Sequence, residues 1–177
     1  MTTYNYNYIV PPLSRLSIRA YAKKIREVLG VTGAYFPVTA LLEGLAYVND
    51  VNYDIVDDTE WDKRFGKDKH AQYDLLDKVI YVKESVYLGA LENKGRDRFT
   101  IAHEIAHALL LDEKSIKFNR NLPKDLPPIY TNPEWQADCL AGELLIPAHL
   151  CRNMSIEQIS KSCAVTEMAA KCQKSKF

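Results

Sequence analysis

Positions 103–107 of this chain read His-Glu-Ile-Ala-His, inside an apolar run from Arg98 to Leu111 that fits a single helix. No other feature limits the fold as tightly. At about 3.6 residues per turn, positions i and i+4 share a face, so His103 and His107 can reach one metal ion while Glu104 projects beside them. Two neutral imidazole nitrogens suit Zn²⁺, and a carboxylate outside the coordination shell can take a proton from water activated there. The chain holds four His, and two of them fall in this pentad. Burying such groups in an apolar helix costs roughly 1–3 kcal/mol for each one left unpaired, and a shared cation removes that cost.

A catalytic zinc site takes three protein ligands and keeps its fourth position open. The metzincin spacing needs Gly three residues after the second His and His six after it; Leu110 and Glu113 stand there, which disfavours that class. Glu113 remains open as a close-spaced ligand or as a surface acid ending the helix. Glu134 is the stronger candidate. Thr131 or Asn132 can cap a second helix, Pro133 suits its first position, and Pro147 marks its far end. Glu134 and Asp138 share a face of that helix. Glu134 then supplies the third ligand, and Asp138 accepts the outer N–H of a metal-bound His and fixes its tautomer. The competing role for Glu134 is an acid complementing the helix dipole.

Phe99-Thr100-Ile101-Ala102-His103-Glu104-Ile105-Ala106-His107, followed by Glu134-Trp135-Gln136-Ala137-Asp138-Cys139-Leu140-Ala141-Gly142-Glu143-Leu144-Leu145-Ile146-Pro147, resembles the ImmA/IrrE family of zinc metallopeptidases. The likeness is specific in these two blocks and extends more loosely from about Leu13 to Cys172. It implies His103, His107 and Glu134 as zinc ligands and Glu104 as catalytic base. Cys139-Leu140 departs mildly from the family pattern, at positions that affect packing more than chemistry. The resemblance further implies a bacterial, phage or mobile-element setting, in which the protein substrate is a helix-turn-helix repressor; other members belong to toxin-antitoxin-like pairs.

With 177 residues and 47% hydrophobic content, the chain is long enough for one compact domain, 1–177. Lys plus Arg and Asp plus Glu balance at 23 each, so no net charge draws it toward nucleic acid or anionic lipid. The start lacks the charged and apolar segments of a signal peptide, and no apolar run reaches membrane-spanning length, so a cytoplasmic location is expected. Cys139, Cys151, Cys163 and Cys172 form no C-x-x-C pair and read as free, mostly buried thiols.

The fold class expected is α+β, a small, mainly antiparallel sheet packed on a helical zincin-type core that carries the two metal-ligand helices. Residues 1–12 read as an edge strand or a flexible arm. Ser14 caps a helix whose apolar stripe is Ile18, Tyr21, Ala22, Ile25, Val28 and Leu29, closed by Gly30. A short helix follows Pro37. Val51–Val56 and Lys78–Val82 read as strands. Val79–Val82 is the candidate cleft edge that pairs with an extended substrate, an internal position being equally open. Residues 112–132 form a proline-interrupted loop, either a cleft cap or a passive connector. In 155–174, Ser155-Ile156-Glu157-Gln158 fits a capping box opening a helical pair. That pair reads as closing the core rather than touching DNA, since its second helix has few basic residues.

The function expected is zinc-dependent endoproteolysis of a specific protein partner. The alternative is a metal-containing binding or regulatory module that holds a repressor without cutting it. His70 and His149 read as surface or cap residues. His149 and the eleven Tyr stay open as oxyanion-stabilising groups, and no substrate-binding residue is assigned.

Overall fold

The computed structural model describes residues 8–48, 50–111, 117–118 and 128–177. Nine α-helices and two small sheets fill these residues, an α+β architecture as the sequence indicated. The helices are α1 (Arg15–Val28), α2 (Val38–Val48), α3 (Asp58–Arg64), α4 (Glu84–Leu91), α5 (Gly95–Leu110), α6 (Pro133–Leu145), α7 (Ala148–Cys151), α8 (Ile156–Cys163) and α9 (Glu167–Lys174). The strands are β1 (Tyr8–Ile9), β2 (Asn52–Val56), β3 (Ala71–Asp74), β4 (Val79–Lys83) and β5 (Lys117–Phe118).

Caps start the helices where the sequence placed them. Ser14 accepts Ser17 N–H, Asn132 accepts Trp135 N–H ahead of Pro133, and Ser155 with Gln158 completes a reciprocal capping box. The stripe of α1 corrects one expectation. Tyr21, Val28 and Leu29 are exposed, and the face turned inward is Ile18, Ala22 and Arg26, spaced i, i+4, i+8. Arg26 can enter the core because it donates to Leu144 O and Gly33 O, so its charge is spent on carbonyls that α6 and the following turn leave open.

β2, β4 and β3 form one sheet in that order, with β2–β4 parallel and β4–β3 antiparallel. One expectation is thereby corrected and one open alternative is decided. The sheet is mixed rather than mainly antiparallel, and β4 is its central strand, the internal position that stood beside the cleft edge as a reading of Val79–Val82. The reason is a crossover: the chain leaves β2 through α3, enters β3 on the far side of the sheet, and returns by a hairpin to fill the middle with Val79–Lys83. A central strand is paired along both edges, and one face of β4, Ile80 and Val82, is fully buried while Val79, Tyr81 and Lys83 on the other are half-buried.

α5 lies between this sheet and α6, and α1 backs α6. Ile101, Ile105, Leu140 and Leu144 are completely buried along the α5–α6 contact. Each such side chain contributes about 1.5–3 kcal/mol of apolar burial, enough to hold two helices of this length in register. At its start α5 is tied to the C-terminal helices. A Cβ on Gly95 would come within 2.6 Å of the Val165–Thr166 backbone, so only glycine permits that approach. Arg98 is fully buried one turn further on, donating through Nε to Ala164 O (3.0 Å), through Nη1 to Tyr35 Oη (2.9 Å) and through Nη2 to Phe36 O (2.7 Å).

Of the segment read as a loop, 112–116 and 119–127 lie outside the described residues, and with them Glu113. Within the remainder, Lys117–Phe118 pairs antiparallel with Tyr8–Ile9, and Ile129–Thr131 makes a 3-10 turn. Residues 1–7 also lie outside the description; Val10 is buried and donates to Thr131 O.

Candidate metal centre

Four turns of α5 carry His103 and His107 on one face, and the N-terminus of α6 presents Glu134 opposite them. Asn132 as cap and Pro133 at the first position fix where α6 begins, so Glu134 falls in its first turn, next to the helix's positive end. His107 Nε2 lies 3.0 Å from His103 Nε2 and 2.8 Å from Glu134 Oε1, and His103 Nε2 lies 3.2 Å from Glu134 Oε2. The ligand atoms of the three residues fall within 4.8 Å of one another. One turn along α6, Asp138 Oδ1 stands 2.9 Å from His103 Nδ1. The sequence-derived residues His103, His107, Glu134 and Asp138 are therefore brought together; the exposed His149 and the partly buried His70 are not part of this group.

Do these residues suit a cation? His103 Nδ1 donates to Asp138, which leaves Nε2 as an acceptor aimed at His107 Nε2 and at a carboxylate. Three electron-rich atoms thus face one another around one point. Glu134 Oε1 is buried and, for all its closeness to His107 Nε2, has no hydrogen bond in proper geometry. Without a cation such a cluster needs a proton, and the electrostatics show where it goes. Burial opposes charge on His103, but the hydrogen bonds to Asp138 and Glu134 outweigh it and push the imidazole up to about 10. Burial likewise opposes charge on Glu134, and the two imidazoles outweigh it, holding its carboxyl well below the usual carboxylate range. A metal ion satisfies the same lone pairs without that proton. Two imidazoles and one carboxylate are a donor set that suits zinc and leaves room for a fourth ligand.

Glu104 follows His103 on α5, near enough for its charge to favour the protonated imidazole. Its Oε2 accepts the backbone N–H of Tyr73 at 2.8 Å, tying the carboxylate to β3 beside the imidazoles. Among the described residues β3 is the outer strand of its sheet, and this N–H lies on its edge away from β4. Tyr73 was missed at the sequence level. The signal available was a short Ala71–Asp74 run just ahead of the strand at 79–83, a hairpin whose turn carries Lys78 with φ 52°. Arg98 was missed as well, although a charged residue four before Ala102 and three before Ile101 sits squarely on the buried stripe.

Residues 57–170 match the family model described as IrrE N-terminal-like domain, Peptidase_M78, a span of the chain that contains the whole cluster. Among curated proteins no significant match is found.

Proposed function

Because the chain belongs to the IrrE N-terminal-like domain family of peptidases, we propose that it is a zinc-dependent metalloendopeptidase that cuts a specific protein partner in the cytoplasm. The observation that carries this reading is the convergence of His103, His107 and Glu134 on one point with Glu104 held beside them. When bound, a zinc ion polarises a peptide carbonyl and acidifies water, which supplies the electrophilic half of hydrolysis.

The chain's own residues do the rest. His103 and His107 present Nε2, and Glu134 presents its carboxylate, as the three ligands. Asp138 accepts the Nδ1–H of His103, holding the tautomer that keeps Nε2 as a donor to metal. Glu104 takes the proton from the attacking water and passes it to the leaving amine. Tyr73 N–H fixes the orientation of that carboxylate. An extended substrate is held along the outer edge of β3, by the backbone pairing that an edge strand offers. This edge replaces Val79–Val82, which the sheet order encloses.

The partner proposed is a helix-turn-helix repressor of a phage, mobile element or stress regulon, on the family resemblance; the balanced charge of the chain supports a protein ligand over nucleic acid. Among the described residues no helix is long and apolar enough to cross a membrane. The test incubates zinc-loaded protein with purified helix-turn-helix regulators from the same genome and follows fragments by mass spectrometry. Discrete fragments are expected from the wild type and none from Glu104→Gln. An intact regulator in a stable complex with the zinc-loaded wild type would show a binding module instead.

A further inference from the structure

The face of α5 that carries His103 continues toward the start of the helix, where Phe99 and Thr100 lie one turn away. There it lines a cavity of ≈ 480 Å³, closed on one side by Gly142 and Ile146 and on the other by Met168, Ala169 and Gln173 of α9. Asp138 belongs to both places, since it lines the cavity and also holds His103 Nδ1. The cavity therefore adjoins the cluster through Asp138. One helical turn rises about 5.4 Å and an extended peptide about 3.3 Å per residue, so a substrate held at the cluster reaches this space within about three residues of the scissile bond.

Phe99, Ile146, Met168 and Ala169 make the lining apolar, and Met168, three-quarters exposed, stands as an adaptable thioether wall. The volume falls in the range of about 300–1,000 Å³ that holds a sizeable ligand, more than a small aliphatic side chain fills. Arg96, Asp138 and Lys176 bring charge to the rim, and Gln173 is a buried polar group of the wall. Gln173 is 4% exposed, and its Nε2, shut off from solvent, has no hydrogen-bond partner among the described residues. Its amide rests on Gly142, where a Cβ would come within 2.7 Å of Gln173 Oε1, so the glycine keeps room for the amide at this spot.

We propose that this cavity is a specificity pocket for a bulky apolar side chain, aromatic or long aliphatic, of the protein substrate. The proposal rests on the peptidase reading and assigns the C-terminal helix α9 a definite task, that of selecting the cleavage site.

Two measurements on the zinc-loaded protein test it, each made on the wild type and on Ala169→Trp, which fills the space. The first digests a proteome-derived peptide library and reads the cut sites by mass spectrometry. At one fixed position the wild type should enrich bulky apolar residues at least about ten-fold, the scale of discrimination an apolar pocket provides, and Ala169→Trp should move the profile toward Gly and Ala. The second titrates N-acetyl-phenylalanine amide and N-acetyl-alanine amide and follows the Gln173 side-chain amide by NMR. Only the former should shift it, and only in the wild type. Cut sites without apolar enrichment, or an enrichment indifferent to Ala169→Trp, would overturn the pocket. If the wild type cuts nothing, the peptidase reading fails, and the titration alone decides: a shift at Gln173 upholds apolar side-chain binding, and no shift overturns it. Should Ala169→Trp unfold, Ala169→Leu takes its place in both arms.

Discussion

α5 carries two buried polar centres, and they differ in one respect. Near its start, Arg98 reaches Ala164 O, Tyr35 Oη and Phe36 O, and the guanidinium also stacks over the Tyr35 ring at 4.3 Å from its centroid. Every one of those contacts sets a donor against an acceptor or a cation against a ring. One to two turns and more along the helix, His103, His107 and Glu134 bring two ring nitrogens and a carboxylate face to face. The first centre is complete and ties α5 to the segment before α2 and to the turn between α8 and α9. The second is completed only by a proton or a cation. Burial of polar groups is common to both; what separates a structural centre from a chemical one is whether the protein itself closes the hydrogen bonds.

The sharpest way to break this comparison is to change each centre and read both stability and chemistry. Glu104→Gln keeps the shape and loses the base, so turnover should fall by about 10²–10⁴-fold while bound zinc per chain and the melting temperature stay those of the wild type. Substantial turnover in this variant would remove Glu104 from its role. Arg98→Met should do the reverse. Leaving the carbonyls of Phe36 and Ala164 buried without donors costs about 3–5 kcal/mol in all, read as a drop of roughly 10 °C in melting temperature. A melting temperature within 2–3 °C of the wild type, on the order of 1 kcal/mol, would mean that the Arg98 centre is not structural.

A smaller effect is expected at the ring of support around the metal. Asp138→Ala leaves the three ligands in place but frees the His103 ring, so zinc affinity, measured by competition with a chromogenic chelator, should fall about 10–100-fold. Unchanged affinity would show that His103 is oriented by packing alone.

The most diagnostic effect is the pH dependence of the metal-free protein. His103 is raised from 6.5 to about 10, so its contribution to stability is complete below about pH 6.5 and is lost as pH climbs through 10. Glu134 is depressed below its usual 4.5, so its contribution is present above that value and is lost on acidification. Chelator-treated protein should therefore melt progressively earlier between pH 6.5 and 10, and zinc should abolish that slope, because the ion takes the place of the proton on His103. Equal slopes with and without zinc would place the ion elsewhere.

Much of this site was legible in the sequence because local rules sufficed. Helical periodicity alone put His103 and His107 on one face. The Asn132-Pro133 start fixed the phase of α6 and with it the pairing of Glu134 with Asp138. Capping chemistry placed the starts of α1, α6 and α8. What resisted reading was long-range. The phase of α1 went astray because Arg26, polar in any hydropathy pattern, is buried against the Leu144 carbonyl, 118 positions distant in the chain. The order of the strands was beyond reach because a crossover through α3 decides which strand lies in the middle. For the same reason the sequence left Val79–Val82 open between cleft edge and sheet interior and left out Tyr73, whose contribution is a backbone N–H and carries no side-chain signature.

Residue type and spacing by themselves thus determined the chemistry available to this chain: two imidazoles, a base and a carboxylate at helical offsets. Only the tertiary structure decided that α6 lies against α5 so that Glu134 closes the set, that β3 borders it, and that α9 walls a cavity beside it. Spacing along one helix is dictated by its 3.6-residue turn, whereas the meeting of two helices depends on the summed burial of side chains drawn from the whole chain.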